Sequence, residues 1–301
     1  MRLTVNELAY LKKQYPQSNQ LSLFSNIQAS AENVDPEQLE KKMILHGGKV
    51  SQIWDKTLKP LALPEECTRL LLRDGQFLVE KYAYRNKEGY TLVENNGKEL
   101  ELTLSDSIEA QMLNLSRWIG MTNLTSLEID LELDVSETLV LLAIVDLGRQ
   151  AVFGGYLAKP VEVKTDFNSL RVQLQTPAAN SLISLLLTNY ELSVPEGDAL
   201  QSILKSLAEK NLISIEGETF GLKENIALLA IQFLVPQTVI LLENISLLAD
   251  GSLGGGSYLA VTAGLKEILL FVMEDEKIKL VSMTGMQLLK LIENLLSFKK
   301  A

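Results

Sequence analysis

Four carboxylates recur at every second position of Glu128-Ile129-Asp130-Leu131-Glu132-Leu133-Asp134, alternating with aliphatic side chains. A period of two is strand patterning, so the acids share one face, each about 7 Å from the next. Such a row could gather Ca²⁺ or Mg²⁺. Hard-cation sites, however, curl the chain around the ion with glycine, asparagine and backbone carbonyls, which a straight strand cannot do. The pattern reads instead as a solvated face whose charge keeps a sheet edge from accepting another strand.

The other reactive side chains are sparse. The chain has one histidine, His46, before Gly47-Gly48 at the expected end of a helix, and one cysteine, Cys67, at the start of a strand. A single histidine excludes sites built from several His ligands, and a single cysteine excludes an internal disulfide or a cysteine zinc cluster. Gly251-Ser252-Leu253-Gly254-Gly255-Gly256-Ser257 lacks the Lys-Ser/Thr of a phosphate loop and leads into a strand, so it is expected to be a hairpin tip. Glu65 and Glu66 are adjacent on a strand and face opposite ways. No catalytic residue, cofactor or metal is expected.

The elements that position these residues follow from caps and periodicity. Thr4-x-x-Glu7 is a capping box opening a helix over about 5–15, and residues 16–34 read as a loop. Asp35-Pro36 starts a helix that stops at Gly47-Gly48, and another covers 50–61. Four strands follow, at 67–73, 76–84, 90–94 and 99–104, joined by Asp74-Gly75, 86–89 and Asn95-Asn96-Gly97. Asp106-x-x-Glu109 caps a helix to 119. A strand over 125–134 then leads into an apolar helix to about 150, a loop at Gly154-Gly155 and Pro160, a strand at 168–174 and a helix from Thr176 to Tyr190.

From Pro195 the first half is replayed: helix 197–210, an apolar turn or strand 211–216, helix 222–234, strands near 237–242, 257–262, 266–274 and 276–281, and helix 284–298. Val50, Trp54, Thr57, Leu61 and Pro64 fall opposite Leu222, Ile226, Leu229, Phe233 and Pro236. The expected fold is α+β, with two pseudo-symmetric halves that each pack an antiparallel β-meander with helices. The expected divisions are 1–121 for the first half, 122–192 for a connecting segment and 193–301 for the second half.

With 301 residues, 47% hydrophobic and 22% charged, the chain can bury a core without staples. Its net charge of −10 is spread over both halves and offers no basic stripe for nucleic acid. Met1 to Glu7 has no apolar signal-peptide core. The uncharged run 225–242 is split by Pro236 into a helix and a strand rather than a membrane span, so a cytoplasmic protein without membrane insertion is expected. On 76–84 one face carries Phe77, Val79 and Ala83, and the other Leu78, Tyr82 and Tyr84. With Tyr90 on the next strand, the sheet either leaves a partly apolar face for a partner or is covered on both sides.

One stretch resembles a known family. Leu58-Lys59-Pro60-Leu61-Ala62-Leu63-Pro64-Glu65-Glu66-Cys67 leads into strand 68–73. Asp74-Gly75 and strand 77–84 follow, and Leu102-Thr103-Leu104-Ser105-Asp106-Ser107 opens the closing helix. These patterns, and the second half from Ser193-Val194-Pro195 onward, are similar to the EspG family, cytosolic chaperones of type VII (ESX) secretion. The resemblance spans about 200 of the 301 residues. It implies a two-lobed α+β fold that holds a helical secretion substrate in soluble form. Two features depart from the family: 122–192 has no counterpart, and the family's substrate-contacting loop is here only the short turn 85–89. The expectation is a non-enzymatic chaperone or adaptor for a helical protein partner. Leu78, Tyr82, Tyr84, Tyr90 and Phe233 are the expected contact residues. Helix–turn–helix–strand orders at 197–216 and 222–242 support an alternative, a winged-helix transcriptional or DNA-associated regulator. An enzyme using a metal on Glu128 to Asp134 is a third reading.

Overall fold

Strand gives way to helix at Thr4 because its side chain accepts from the N–H of Glu7 while Glu7 reaches back to the N–H of Thr4. The computed structural model describes residues 1–31, 34–97, 99–104, 108–157, 165–264 and 267–297. The expected Asp106 cap, the 105–107 opening of the family resemblance, Pro160 and Phe298 lie outside them. The elements in chain order are β1 (Arg2–Thr4), α1 (Val5–Leu11), α2 (Leu23–Asn26), α3 (Pro36–Lys41), β2 (Leu45–His46), β3 (Lys49–Val50) and α4 (Gln52–Ala62). The first meander is β4 (Glu66–Asp74), β5 (Phe77–Asn86), β6 (Gly89–Asn95) and β7 (Glu99–Leu104), followed by α5 (Ile108–Ile119). Then come β8 (Asp130–Asp134), α6 (Val135–Leu157), β9 (Thr165–Asp166), α7 (Phe167–Gln175), α8 (Leu182–Asn189), α9 (Asp198–Glu209), β10 (Ile213–Glu216), β11 (Thr219–Leu222) and α10 (Glu224–Gln232). The second meander is β12 (Pro236–Leu247), β13 (Leu253–Ala263), β14 (Glu267–Glu274) and β15 (Lys277–Met283), closed by α11 (Gly285–Leu296).

These elements form two compact units. The first holds 1–114, 241–257 and 291–301, with antiparallel strands in the order β1-β7-β6-β5-β4 and then the 241–247 part of β12. One sheet face is packed by the helices before β4: Leu8, Leu11, Leu58 and Leu61 meet Cys67, Tyr84, Val93 and Leu102 in one core. The opposite face buries Leu70, Leu72, Ala83 and Leu92, with Lys81 donating to Gln111 of α5 and Thr68 to the carbonyl of Leu295 in α11. Both faces of the meander thus carry helices, but the cover on the first ends part-way along β5, where Leu78 is exposed, so the sheet lies between the two arrangements the sequence allowed.

The second unit holds 115–240 and 258–290, with strand order β12-β13-β14-β15-β8 and a smaller sheet β10-β11-β9. Its centre is α6, in which residues 139–145 are each at most 1% exposed. A helix apolar all round is either a core helix or a membrane span; α6 is long and apolar enough for the latter, but most of it is buried inside this unit.

The two halves repeat one another in detail. In the first, Glu7 of the capping box pairs with Lys42, the C-cap of α3, at 2.6 Å. In the second, Glu137 accepts from the N–H of Asp134 at the β8–α6 junction and pairs with Lys210, the C-cap of α9, also at 2.6 Å. Both C-caps lead into a left-handed residue, Met43 (φ 58°) and Asn211 (φ 57°), with closing bonds from Ile44 N–H to Leu39 O and from Leu212 N–H to Leu207 O. A hairpin, a helix, a four-stranded meander and a closing helix follow in each. The elements of the first half thus have counterparts from β8 onward. The sequence hides this junction because α1 has seven residues and its counterpart α6 has 23.

Five local expectations are corrected. His46 pairs with Lys49 in the β2–β3 hairpin and does not end a helix, because α3 already stops at Lys41 and Gly47-Gly48 supply the turn's positive φ. The strand expected over 125–134 is regular only from Asp130; Thr125 and Ser126 are held instead by the buried carboxylate of Glu267. Gly154 and Gly155 lie inside α6, and 168–174 is helix α7 because Asp166 caps it through the N–H of Ser169. Gly254 to Gly256 belong to β13, where a Cβ on Gly255 would lie 2.2 Å from the carbonyl oxygen of Asn244; close backbone approach, not a loose tip, requires the glycine.

Candidate protein-docking site

The register of β4 with β5 decides which side chains share a face: Cys67 opposite Tyr84, Arg69 opposite Tyr82, Leu71 opposite Glu80 and Arg73 opposite Leu78. Thr91 on β6 joins this face by donating to Thr57 O of α4 at 2.7 Å. Helix cover stops part-way along it. Tyr84 is 4% exposed, Tyr82 is half-buried and Leu78, at the end of the face, is 63% exposed.

Between these limits lies a satisfied polar network. Arg69 donates from Nε to Glu80 at 2.9 Å and from Nη1 to Glu243 of β12 at 2.9 Å, and the Tyr82 hydroxyl donates to Glu80 at 2.8 Å. The Arg69 guanidinium also lies 6.0 Å from the centre of the Tyr82 ring, which stacks on Tyr84 at 6.2 Å. A planar guanidinium held by two carboxylates and a ring is ordered before anything docks, which lowers the entropy cost of binding. Burial first, then the bond to Glu80, pushes the Tyr82 hydroxyl up to about 12, so it stays a neutral donor. The result is a firm platform of aromatic and aliphatic surface with a fixed polar centre. Within it no nucleophile is activated: burial raises the Cys67 thiol to about 12, far from a reactive thiolate.

The five expected contact residues separate. Leu78 and Tyr82 are on this platform. Tyr84 shares its face but is buried beside Cys67 in the core. Tyr90 pairs with Arg85 on the opposite face, because it is one residue out of phase with Thr91. Phe233 is fully buried in the other unit and serves packing. Tyr84 and Phe233 are therefore out of a partner's reach; aromatic content alone does not distinguish a contact from a core residue.

Among the described residues the acidic strand, β8, is an edge strand that pairs with β15. Glu132 pairs with Lys277 at 2.6 Å and Asp130 with Lys279 at 3.3 Å, and the bond from Lys277 holds the Glu132 carboxyl below its ordinary value. Among the described residues no group of three or more His, Cys, Asp or Glu side chains converges as a metal site requires. One polar cluster was missed in the sequence. Asp146 accepts from the N–H groups of Leu182 and Ile183 at the start of α8 and pairs with Arg149, which donates to Asn180 O and Leu234 O. Burial pushes the Asp146 carboxyl up against these stabilising bonds. Its sequence signal is an Asp-x-x-Arg step directly after the apolar run 139–145.

No protein-family model and no curated protein sequence matches the chain. A comparison with solved structures aligns 100% of this chain with 96% of the type VII secretion system chaperone EspG5 of Mycobacterium tuberculosis, determined in complex with a PE25–PPE41 dimer. The TM-score is 0.56 and the sequence identity 9%. The chain has the fold of that chaperone. At this identity the likeness carries the architecture alone, and what the platform binds rests on its own chemistry.

Proposed function

We propose that the chain is a non-enzymatic cytoplasmic chaperone or adaptor that holds a helical protein partner, of the kind exported by type VII secretion. The observation that carries this reading is the half-open sheet face of the first unit, where exposed Leu78 continues a pre-ordered Tyr82–Arg69–Glu80–Glu243 cluster. Such a face suits the apolar tips of a helical hairpin framed by polar groups. The shared fold with a chaperone whose structure is known in complex with a PE25–PPE41 dimer supports the same reading. A DNA-associated role has its helix–hairpin–helix pieces in α9–β10–β11–α10 but must contend with a net charge of −10. The test is co-purification of the tagged chain from its native cells: a small helical protein at near-stoichiometric yield is expected. Recovery of nucleic acid with transcription proteins instead would overturn the proposal.

A further inference from the structure

We infer that the second unit carries a binding groove for a short extended peptide segment of a protein partner, with aliphatic side chains at the centre of the segment and a basic residue towards each end. The groove lies between α7, α9 and the β10–β11 hairpin, and it is independent of the chaperone reading of the first-meander platform.

Two clefts make up the groove. The larger, about 590 Å³, has an apolar lining of Phe167, Leu204, Ile215 and Phe220, with Asp166 and Glu218 beside it. The smaller, about 320 Å³, brings in Glu196 and Asp198 and shares Phe167, Arg171 and Gln201 with the larger, so the two are continuous.

The first half of the chain closes without these walls. Helix α3 has six residues and α9 has twelve; with their C-caps Lys42 and Lys210 matched, the added residues are 198–203, which include Asp198 and Gln201. The hairpins differ in the same way. In the first, His46 opposite Lys49 is the last pair before Gly47-Gly48. In the second, the matching pair, Ser214 opposite Gly221, is followed by Ile215 opposite Phe220 and Glu216 opposite Thr219. The added tip supplies Ile215, Glu218 and Phe220 to the groove. The groove is therefore not a requirement of the repeat.

Charge selects the occupant. Elsewhere in this unit carboxylates sit on cations: Asp130 on Lys279, Glu132 on Lys277 and Glu137 on Lys210. Among the described residues Asp166, Glu196, Asp198 and Glu218 form no ion pair, and neither does Arg171. Asp166 accepts from the N–H of Ser169, and that bond holds its carboxyl below the ordinary value, so it stays charged. Four carboxylates against one guanidinium leave the groove net negative. Arg171, which lines both clefts, separates the pair Asp166 and Glu218 from the pair Glu196 and Asp198. A cation is thus favoured at either end and disfavoured in the middle. The guanidinium instead suits the backbone carbonyls of a passing chain, and the apolar lining takes its aliphatic side chains. A polyamine such as spermidine, with an ammonium at its centre, does not fit this pattern. The volumes are those of a small-ligand site, room for a few residues of extended chain and not for a helix about 10 Å across.

The test titrates the full chain with a fluorescein-labelled, end-capped hexapeptide, two leucines between two pairs of lysines, followed by fluorescence anisotropy. The same peptide with glutamate for lysine is the control, and spermidine is the competitor. The expected result is binding that weakens with salt, none by the glutamate peptide and no displacement by an equal concentration of spermidine. E196K/E218K, at exposed positions outside the helices, should weaken binding by about tenfold or more with unchanged circular dichroism. E196Q/E218Q serves if that variant misfolds, and I215K tests the apolar lining from an exposed position. Unchanged affinity in the folded variants assigns the attraction to the net charge of −10 elsewhere on the chain and overturns the groove. Absence of binding overturns it as well. Equal binding of the glutamate peptide overturns the basic ligand, and displacement by spermidine overturns the peptide in favour of a polyamine. Failure of the chaperone reading would show separately, as loss of the co-purified helical protein.

Discussion

Glu137→Ala is expected to destabilise the chain by about 3 kcal/mol. The carboxylate is 7% exposed and accepts three bonds: Asp134 N–H at 3.1 Å, the Ser206 hydroxyl at 2.6 Å and Lys210 Nζ at 2.6 Å. Losing the helix-start bond costs about 1 kcal/mol, and losing a hydroxyl bond to a buried carboxylate about 1.5 kcal/mol. Because the Lys210 side chain is 42% exposed, its ion pair adds only about 0.5 kcal/mol after solvent screening. Urea unfolding followed by circular dichroism at pH 7 measures the total, and Lys210→Met should cost no more than about 1 kcal/mol. Burial pushes the Glu137 carboxyl up, but the bonds from Lys210, Ser206 and the Asp134 N–H outweigh it and hold the group below its ordinary value. The unfolded chain therefore takes up this proton first on acidification. The charge-dependent part of the stabilisation is complete above the unfolded carboxylate value of about 4.3 and is lost as pH falls through the lower folded value. The gap between wild type and Glu137→Gln should be level from pH 6 to 8 and narrow below about pH 4. A Glu137→Ala cost under 1 kcal/mol, or a gap that widens in acid, would refute the reasoning.

Other perturbations separate core, strand and surface. Gly255→Ala places a Cβ 2.2 Å from Asn244 O and should cost about 2 kcal/mol or more through strand displacement, read as a fall in urea midpoint. Phe233→Ala should cost about 3–5 kcal/mol, whereas Leu78→Lys, at an exposed position, should stay within about 0.5 kcal/mol while weakening partner binding severalfold. Cys67, buried and with its thiol raised to about 12, should react with a thiol reagent at pH 8 only when the chain is unfolded, giving negligible labelling of the native protein.

What was legible in the sequence was local and strongly punctuated. The first meander was readable because Asp74-Gly75 and Asn95-Asn96-Gly97 mark two of its turns and alternation marks its strands, and β7 matches its expected span of 99–104. The second meander and the order of halves followed from the same cues. The segment 122–192 was not, for physical reasons. Residues 125–129 alternate like a strand, yet apart from the bond from Ser282 N–H to Ile129 O they are held by side-chain bonds with Glu267 and Ser282. Helix α6 is apolar all round, so no amphipathic stripe marks its length. The pairing of Glu137 with Lys210 bridges 73 residues, and no local pattern announces it. At the platform, the strand faces were readable from alternation, but which part of a face the helices cover depends on packing between distant segments, so Tyr84 was indistinguishable from Tyr82 until the core was in view.

The central claim is that this chain carries a helical protein partner on an exposed, pre-ordered face. Hydrogen–deuterium exchange of the chain with and without its co-purified partner tests it most directly. Protection of 77–82 in β5, with β8 unchanged, is the predicted result. Protection confined to β8, or none anywhere in the chain, would contradict it.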